Sequence, residues 1–183
     1  MRTLWKVGSN PTAIERSQML SEKELEEMLV ANLRILSPDW MLIGNQISTG
    51  TGFIDLLAVS RDGTIVVIEL KKDRASRDVV SQTLDYVSWV SALQAESIGD
   101  IFSLKQTGEL GSRFKEYFGV DLEEDGLNTQ QLAVIVASQP DSTTERIVKY
   151  LANMGVPINL NTFEVFIDGA QRYLSPNWIV DLA

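Results

Sequence analysis

The stretch FIDLLAVS-RDG-TIVVIELKK, residues 53–72, contains two apolar runs joined by a short polar segment. Asp62-Gly63 is a strong hairpin signal, so the two runs are predicted to be adjacent antiparallel strands. Each run carries an acid where a buried strand normally has none: Asp55 near the start of the first and Glu69 near the end of the second. Lys71 follows Glu69 by two positions and therefore shares its face of the strand.

The length of the loop decides whether the two acids meet. A three-residue loop at 61–63 pairs Ser60 with Thr64 and places Asp55 directly opposite Glu69, with Cβ atoms about 4.5–5.5 Å apart. Two carboxylates that close repel each other unless a cation or a shared proton lies between them. Hard divalent cations such as Mg²⁺ are held by one or two carboxylates together with phosphate oxygens. The spacing therefore indicates a metal-dependent phosphate site beside a lysine, whereas a two-residue loop would shift the pairing and weaken this geometry.

The composition excludes several other kinds of catalytic site. The 183 residues include no histidine and no cysteine, which rules out histidine-based triads, zinc sites built from histidine or thiolate, and disulfides. No apolar run approaches the roughly 18–20 residues of a membrane span, and the N-terminus lacks the apolar segment of a signal peptide. We therefore expect a cytoplasmic protein without a membrane partner, whose chemistry uses carboxylates, lysine, tyrosine, serine or a metal.

The charge of the chain is unevenly distributed. The net charge is −9 and the isoelectric point is about 4.5, which argues against an extended basic surface for nucleic acid. KKDRASR, residues 71–77, nevertheless holds four basic residues and one acid, whereas EYFGVDLEED, residues 116–125, holds five acids and no base. The basic cluster lies next to Glu69, although taken alone such a segment is more often a solvated loop.

Periodicity and capping signals divide the rest of the chain into alternating helices and strands. Helices are predicted from a Ser21 cap to about Leu36, from a Ser76 cap to about Ala95, over 112–118, and from a Ser142 cap to about Asn153. Further strands are predicted at 3–7, 40–48, 132–138, 158–167 and 172–174. This order predicts one α/β domain over residues 1–183, with a mixed β-sheet flanked by helices. Within it, 1–20 form an N-terminal extension, 21–95 the core with the site, and 96–183 the C-terminal part.

Three polar residues on the predicted helices accompany the strand acids. Glu22 lies on the first turn of the first helix, and Gln82 and Tyr86 lie four residues apart on one face of the second. Each has a structural explanation when taken alone: a favourable helix dipole for Glu22, and packing at the helix shoulder for Gln82 and Tyr86. Glu69 and Lys71 could likewise be a solvated ion pair at a sheet edge, but the apolar runs around them indicate burial, where unpaired charge is costly.

Together these residues resemble the signature of the PD-(D/E)xK nuclease superfamily. Asp55 and the segment Glu69-Leu70-Lys71 fit its D-x(n)-E-x-K pattern, and Gln82 with Tyr86 fits the Q-x-x-x-Y motif of some of its branches. The wider pattern over residues 21–174 resembles the nuclease domain of NucS-like endonucleases. The resemblance implies a restriction-endonuclease-like (PD-(D/E)xK) core and a nuclease that hydrolyses DNA phosphodiester bonds, in DNA repair or defence.

The resemblance also implies a role for each site residue. Asp55 and Glu69 would bind Mg²⁺ or Mn²⁺, with Glu22 as a further ligand, and Lys71 would orient a water or neutralise the phosphate. The metal would stabilise charge on the phosphate and lower the pKa of a bound water. Two residues of the second helix would position the phosphate or the lysine: Gln82 and Tyr86. Three basic residues would contact the nucleic-acid backbone: Lys72, Arg74 and Arg77.

Two features depart from the family pattern. NucS proteins carry a separate N-terminal DNA-binding domain, which the first 20 residues cannot supply, and the isoelectric point is low for a nuclease working alone. A partner subunit or a short basic groove would then have to supply affinity for DNA, and the sequence also allows a homodimer. Two alternative functions stay open: a non-catalytic nucleic-acid- or protein-binding module that keeps the fold, and a nuclease directed at RNA.

Overall fold

The computed structural model describes residues 3–19 and 21–180 as a mixed β-sheet with helices on both faces. The strands are β1 (Trp5–Lys6), β2 (Thr12–Ala13), β3 (Glu15–Ser17), β4 (Trp40–Ser48), β5 (Phe53–Ser60), β6 (Ile65–Ala75), β7 (Gln131–Pro140), β8 (Ile158–Asp168) and β9 (Gln171–Trp178). The helices are α1 (Glu22–Ala31), α2 (Arg77–Ser91), α3 (Ala95–Lys105), α4 (Leu110–Phe118) and α5 (Ser142–Asn153), with 3-10 turns at Leu33–Ile35 and Glu124–Gly126.

The sheet combines an antiparallel half with a parallel half. Its strand order is β3-β8-β7-β6-β5-β4, with β9 also paired to β8, and β1 and β2 form a separate small hairpin. Strands β4, β5 and β6 are antiparallel neighbours, whereas β6, β7 and β8 run parallel. The mixed sheet flanked by helices agrees with the architecture predicted from sequence.

The hairpin between β5 and β6 has a three-residue loop, the one of the two loop lengths that places Asp55 opposite Glu69. The Ser60 amide donates to the Thr64 carbonyl at 2.9 Å, and the ladder pairs Val59 with Ile65 and Leu56 with Ile68. Gly63 has a φ of +86°, a left-handed conformation that favours glycine at this position of the turn. The register on which the two-acid prediction depends is therefore confirmed.

The two faces of the sheet bury different helices. Leu25 and Leu29 of α1 pack with Leu56 and Ile68 on one face. The alternate strand residues, including Leu57 and Val67, pack on the other face against Tyr86 and Val90 of α2 and against buried residues of α3 and α4. Asp55 and Glu69 are two residues from Leu57 and Val67 respectively, so both acids belong to the α2 face.

Several element boundaries differ from the sequence predictions. Helix α1 ends at Ala31 rather than near Leu36, because Asn32 closes it and a 3-10 turn continues the chain. Helix α2 ends at Ser91, and α3 at Ala95–Lys105 was not predicted. The prediction of Ser142 as the cap of α5 is wrong by one residue: Asp141 is the cap, and its side chain accepts a hydrogen bond from the Thr144 amide at 2.6 Å.

The N-terminal part and the cap of α2 were also only partly predicted. The predicted strand at 3–7 is limited to Trp5–Lys6, and β3 adds a strand beside β8. Ser76 is the N-cap of α2 as expected, but its side chain makes no capping hydrogen bond. Among the helices of the described residues, none has both the length and the apolar composition needed to cross a membrane.

Candidate metal and phosphate site

The two strand acids lie at the open end of the β5–β6 hairpin. The register of the ladder, continued by one residue beyond the pair of Leu56 and Ile68, sets Asp55 opposite Glu69. The Asp55 carboxylate reaches across this end of the hairpin, where its Oδ2 accepts a hydrogen bond from the Leu70 amide at 2.8 Å. The acids therefore share one face and one end of the sheet, which is the arrangement that a shared cation requires.

Glu69 is buried, and its two carboxylate oxygens differ in their hydrogen bonds to the described residues. The residue is 2% exposed. Its Oε1 accepts hydrogen bonds from Lys71 Nζ at 2.7 Å and from Gln82 Nε2 at 2.8 Å, whereas its Oε2 is buried and has no hydrogen-bond partner among the described residues. An unpartnered buried acceptor is costly, so this oxygen is poised to accept a proton or a cation.

The electrostatics of the site favour the same conclusion. Burial, followed by the negative charge of Asp55, raises the pKa of Glu69 to about 7. Burial also raises the pKa of Asp55, although the hydrogen bond from the Leu70 amide and the charge of Lys71 oppose this shift. Both carboxyls thus hold protons more tightly than in the unfolded chain, mainly because both are buried; a neighbouring acid adds to the shift, Asp55 for Glu69 and Glu26 for Asp55.

Lys71 stays cationic beside these acids. Its burial lowers its pKa, but the hydrogen bond and charge of Glu69, together with the charges of Asp55 and Glu22, outweigh burial and raise it. Its side chain is 30% exposed, so the ammonium group is accessible from solvent. Lys71 is therefore equipped to act as a cation or hydrogen-bond donor at neutral pH, and not as a proton acceptor.

Gln82 and Tyr86 of α2 belong to the same cluster. Gln82 Nε2 donates to Glu69 Oε1 and also to Tyr86 Oη, the latter at 3.2 Å. Gln82 shares one face of α2 with Tyr86, as predicted. It also contacts Glu69 of β6, which was not predicted. Tyr86 is 6% exposed, and a Cβ at Gly52 would lie 2.5 Å from its hydroxyl oxygen, so only glycine fits there without displacing the ring.

Glu22 lies at the margin of this cluster. Its Oε1 accepts a hydrogen bond from the Lys72 amide at 3.4 Å, and its charge raises the pKa values of both Glu69 and Lys71. Among the described residues, however, no three acidic side chains are grouped closely enough to form a ready-made metal cage. Glu22 as a further metal ligand therefore stays a prediction.

The three residues predicted to bind nucleic acid are placed differently from one another. Lys72 points away from the face of Glu69, contacts Asp73 at 3.5 Å, and lines a groove of about 990 Å³ that also contains Arg16 and Phe163. Arg77 is exposed at the start of α2. The side chain of Arg74 lies outside the described part of the structure. Contact of these residues with nucleic acid stays a prediction.

Sequence reasoning missed two residues that contact the site from the other side. Gln46 Nε2 donates to Asp55 Oδ1 at 3.1 Å and to Glu26 Oε2 at 2.9 Å. Glu26 also accepts from Asn45 Nδ2 at 2.6 Å. Glu26 lies at the edge of the apolar stripe that Leu25, Met28 and Leu29 form on α1, and this position was a weak signal for it. No signal was available for Gln46, because its contact depends on the β4–β5 register.

The donor set fits a hard divalent cation. Asp55 and Glu69 offer carboxylate oxygens, and within the described part of the chain Glu69 Oε2 has no hydrogen-bond partner. Oxygen ligands of this kind suit Mg²⁺ or Mn²⁺, and the chain has neither histidine nor cysteine, the ligands that softer metals prefer. The residues present are therefore compatible with the predicted cofactor, although the three-carboxylate cage is not preformed.

Comparison with known protein families gives one match that includes all the candidate site residues. Residues 21–108 match the family described as the endonuclease NucS C-terminal domain. Endonuclease NucS of Thermococcus kodakarensis is 37% identical over 67 residues, 37% of this chain and 27% of that protein. Endonuclease NucS of Methanopyrus kandleri is 24% identical over 119 residues, 65% of this chain and 46% of that protein. The resemblance to NucS-like endonucleases is confirmed, over less than half the length of either relative.

Solved structures give similarities of the same kind. A structure described as an EndoMS complex with double-stranded DNA has a TM-score of 0.49 and 20% sequence identity, covering 87% of this chain and 64% of that chain. A repair endonuclease from Pyrococcus abyssi has a TM-score of 0.48 and 18% identity, covering 86% of this chain and 63% of that chain.

Proposed function

We propose that this chain is the nuclease domain of a Mg²⁺- or Mn²⁺-dependent endonuclease that hydrolyses DNA phosphodiester bonds, in DNA repair or defence. The observation that carries the proposal is the buried, unpartnered Oε2 of Glu69, next to Asp55 and Lys71. The family match over residues 21–108 supports the same activity. We further propose that the sheet and its site form a PD-(D/E)xK core.

Each residue of the cluster would have a separate role in this reaction. Asp55 and Glu69 would hold the cation, which would stabilise charge on the scissile phosphate and supply an activated water. Lys71, kept protonated by its acidic neighbours, donates to a phosphate oxygen and offsets its charge. Gln82 keeps Glu69 Oε1 occupied, so that Oε2 remains the oxygen available for the cation.

The site suits metal-assisted chemistry on a phosphate better than proton transfer without a cation. A proton-transfer mechanism without a cation would need a group that releases and accepts protons near neutral pH, and Glu69, with a pKa of about 7, could serve. The hydrogen bond and charge of Lys71 already lower this pKa, so Glu69 is a weaker base than its burial alone would make it. Two acids beside a protonated lysine suit a phosphoryl centre better, because a phosphate and a cation neutralise all three charged groups.

The test is cleavage of single-stranded, branched and mismatched DNA, and of matched RNA, with and without Mg²⁺ or Mn²⁺. Asp55→Ala and Glu69→Gln are expected to abolish metal-dependent cleavage without unfolding the protein. Glu116→Gln is a matched control, since Glu116 is an exposed acid paired with Arg113 on α4. Cleavage that persists in either site variant refutes the proposal, and cleavage of RNA alone assigns the site to the other substrate.

A further inference from the structure

The Asp55 carboxylate is held from two sides, and Gln46 provides the side away from β6. Gln46 lies opposite Asp55, because Asn45 pairs with Leu56 and Ile47 with Ile54 in the β4–β5 ladder. Its amide nitrogen donates to Asp55 Oδ1 at 3.1 Å and to Glu26 Oε2 at 2.9 Å. The Gln46 amide group thus donates one hydrogen bond to each of two carboxylates, which would otherwise repel each other.

The backbone of Gln46 is unusual for a strand residue. Its φ is +50°, in the left-handed region that side chains with a Cβ rarely adopt. The Lys105 ammonium donates to the Gln46 carbonyl at 3.2 Å and helps to hold this conformation. Residues in such regions persist only where the surrounding structure compensates for the strain, and they cluster at functional sites.

We propose that Gln46 is a positioning residue that fixes the Asp55 carboxylate for cation binding, and that Glu26 orients the Gln46 amide. The proposal rests on the metal site proposed above. With the Leu70 amide on Oδ2 and Gln46 on Oδ1, each Asp55 oxygen keeps one acceptor direction free. Because an amide is uncharged, it orients the carboxylate without competing with a cation for its charge.

A purely structural role for Gln46 makes the opposite prediction. If Gln46 served only to tie α1 to β4, its removal would lower stability and leave cation affinity unchanged. Gln46→Gly removes the amide and also relieves the left-handed backbone, because glycine adopts positive φ readily. A positioning role therefore predicts an unchanged or raised Tm together with weaker binding of the cation.

The experiment is a calorimetric titration of the folded protein with Mn²⁺ alone, paired with thermal unfolding in EDTA. Gln46→Gly is expected to weaken Mn²⁺ binding about 10–100-fold, the usual cost of removing a group that orients a metal ligand. Asn45→Ala is the matched control, since the Asn45 side chain donates to Glu26 and not to Asp55, and its affinity for Mn²⁺ should stay close to that of the parent protein.

The possible outcomes distinguish a failure of the proposed function from a failure of the role inferred for Gln46. A parent protein that binds no Mn²⁺ at Asp55 and Glu69 overturns the proposed function and this inference with it. A parent protein that binds while Gln46→Gly binds equally well, or weakens only with a large fall in Tm, overturns this inference alone. Should Gln46→Gly not fold, Gln46→Met keeps the side-chain volume without the donors, and unchanged binding by that variant is equally decisive.

Discussion

Replacing the buried Glu69 by glutamine is expected to stabilise the metal-free protein increasingly as the pH rises. The folded pKa is about 7 against an ordinary value of 4.5, so the folded carboxyl holds its proton more tightly than the unfolded one. Its contribution to stability is fully present below about pH 4.5 and is lost as the pH rises through 7. From pH 5 to pH 8 this group alone lowers the free energy of unfolding by about 2–3 kcal/mol.

The assay is urea unfolding of the parent protein and Glu69→Gln in EDTA, at several pH values from 5 to 8. The difference in unfolding free energy, variant minus parent, is expected to increase by about 2–3 kcal/mol over that range. Fixed costs of the substitution, such as the lost partner of Lys71, do not alter this change, because they contribute similarly at each pH. Glu145→Gln, on the surface of α5, should show little change.

A divalent cation should stabilise the parent protein much more than it stabilises Glu69→Gln. Mn²⁺ at 100 times its dissociation constant would stabilise the parent protein by about 2.7 kcal/mol, whereas Glu69→Gln should gain little. A difference in unfolding free energy that is independent of pH, or that decreases towards pH 8, would show that the charge of buried Glu69 does not destabilise the folded protein. A cation response that survives in Glu69→Gln would refute the assignment of Glu69 as a ligand.

Three further changes test the supporting structure. Gly52→Ala places a Cβ 2.5 Å from Tyr86 Oη and should cost about 1–3 kcal/mol by urea unfolding, with much of the loss recovered when Tyr86→Phe is added; no recovery would contradict the clash. Lys71→Gln should reduce cleavage about 100-fold or more while calorimetry still detects Mn²⁺ binding; loss of binding instead would contradict its role towards phosphate. Asp141→Ala should cost about 1 kcal/mol in thermal unfolding, whereas Ser142→Ala should change little, and the reverse order would contradict the observed cap.

The hairpin that carries the site was predictable because its determinants are local. The loop Arg61–Gly63 and the apolar runs on either side fix which residues pair, and pairing fixes which side chains share a face. The spacing of Glu69 and Lys71, and of Gln82 and Tyr86, follows from strand and helix periodicity alone. These short-range rules group Asp55, Glu69 and Lys71 on the hairpin and Gln82 with Tyr86 on α2, whereas the contact between Gln82 and Glu69 depends on how α2 packs on the sheet.

The contacts that were missed depend on tertiary structure. Gln46 faces Asp55 only because of the β4–β5 register and a left-handed backbone, neither of which a glutamine signals. Helix α3 contains Gly99 and follows directly on α2, so its apolar spacing was not distinct enough to predict it. At α5 both Asp141 and Ser142 are good caps, and the choice between them was decided by the extension of β7 to Pro140.

The central claim is that Glu69 Oε2 and Asp55 share a divalent cation. Anomalous scattering from crystals grown with Mn²⁺ tests it most directly. We expect a single strong peak at about 2.1 Å from Glu69 Oε2 and within coordination distance of Asp55. A peak at another place on the molecule, or none at saturating Mn²⁺, would contradict it.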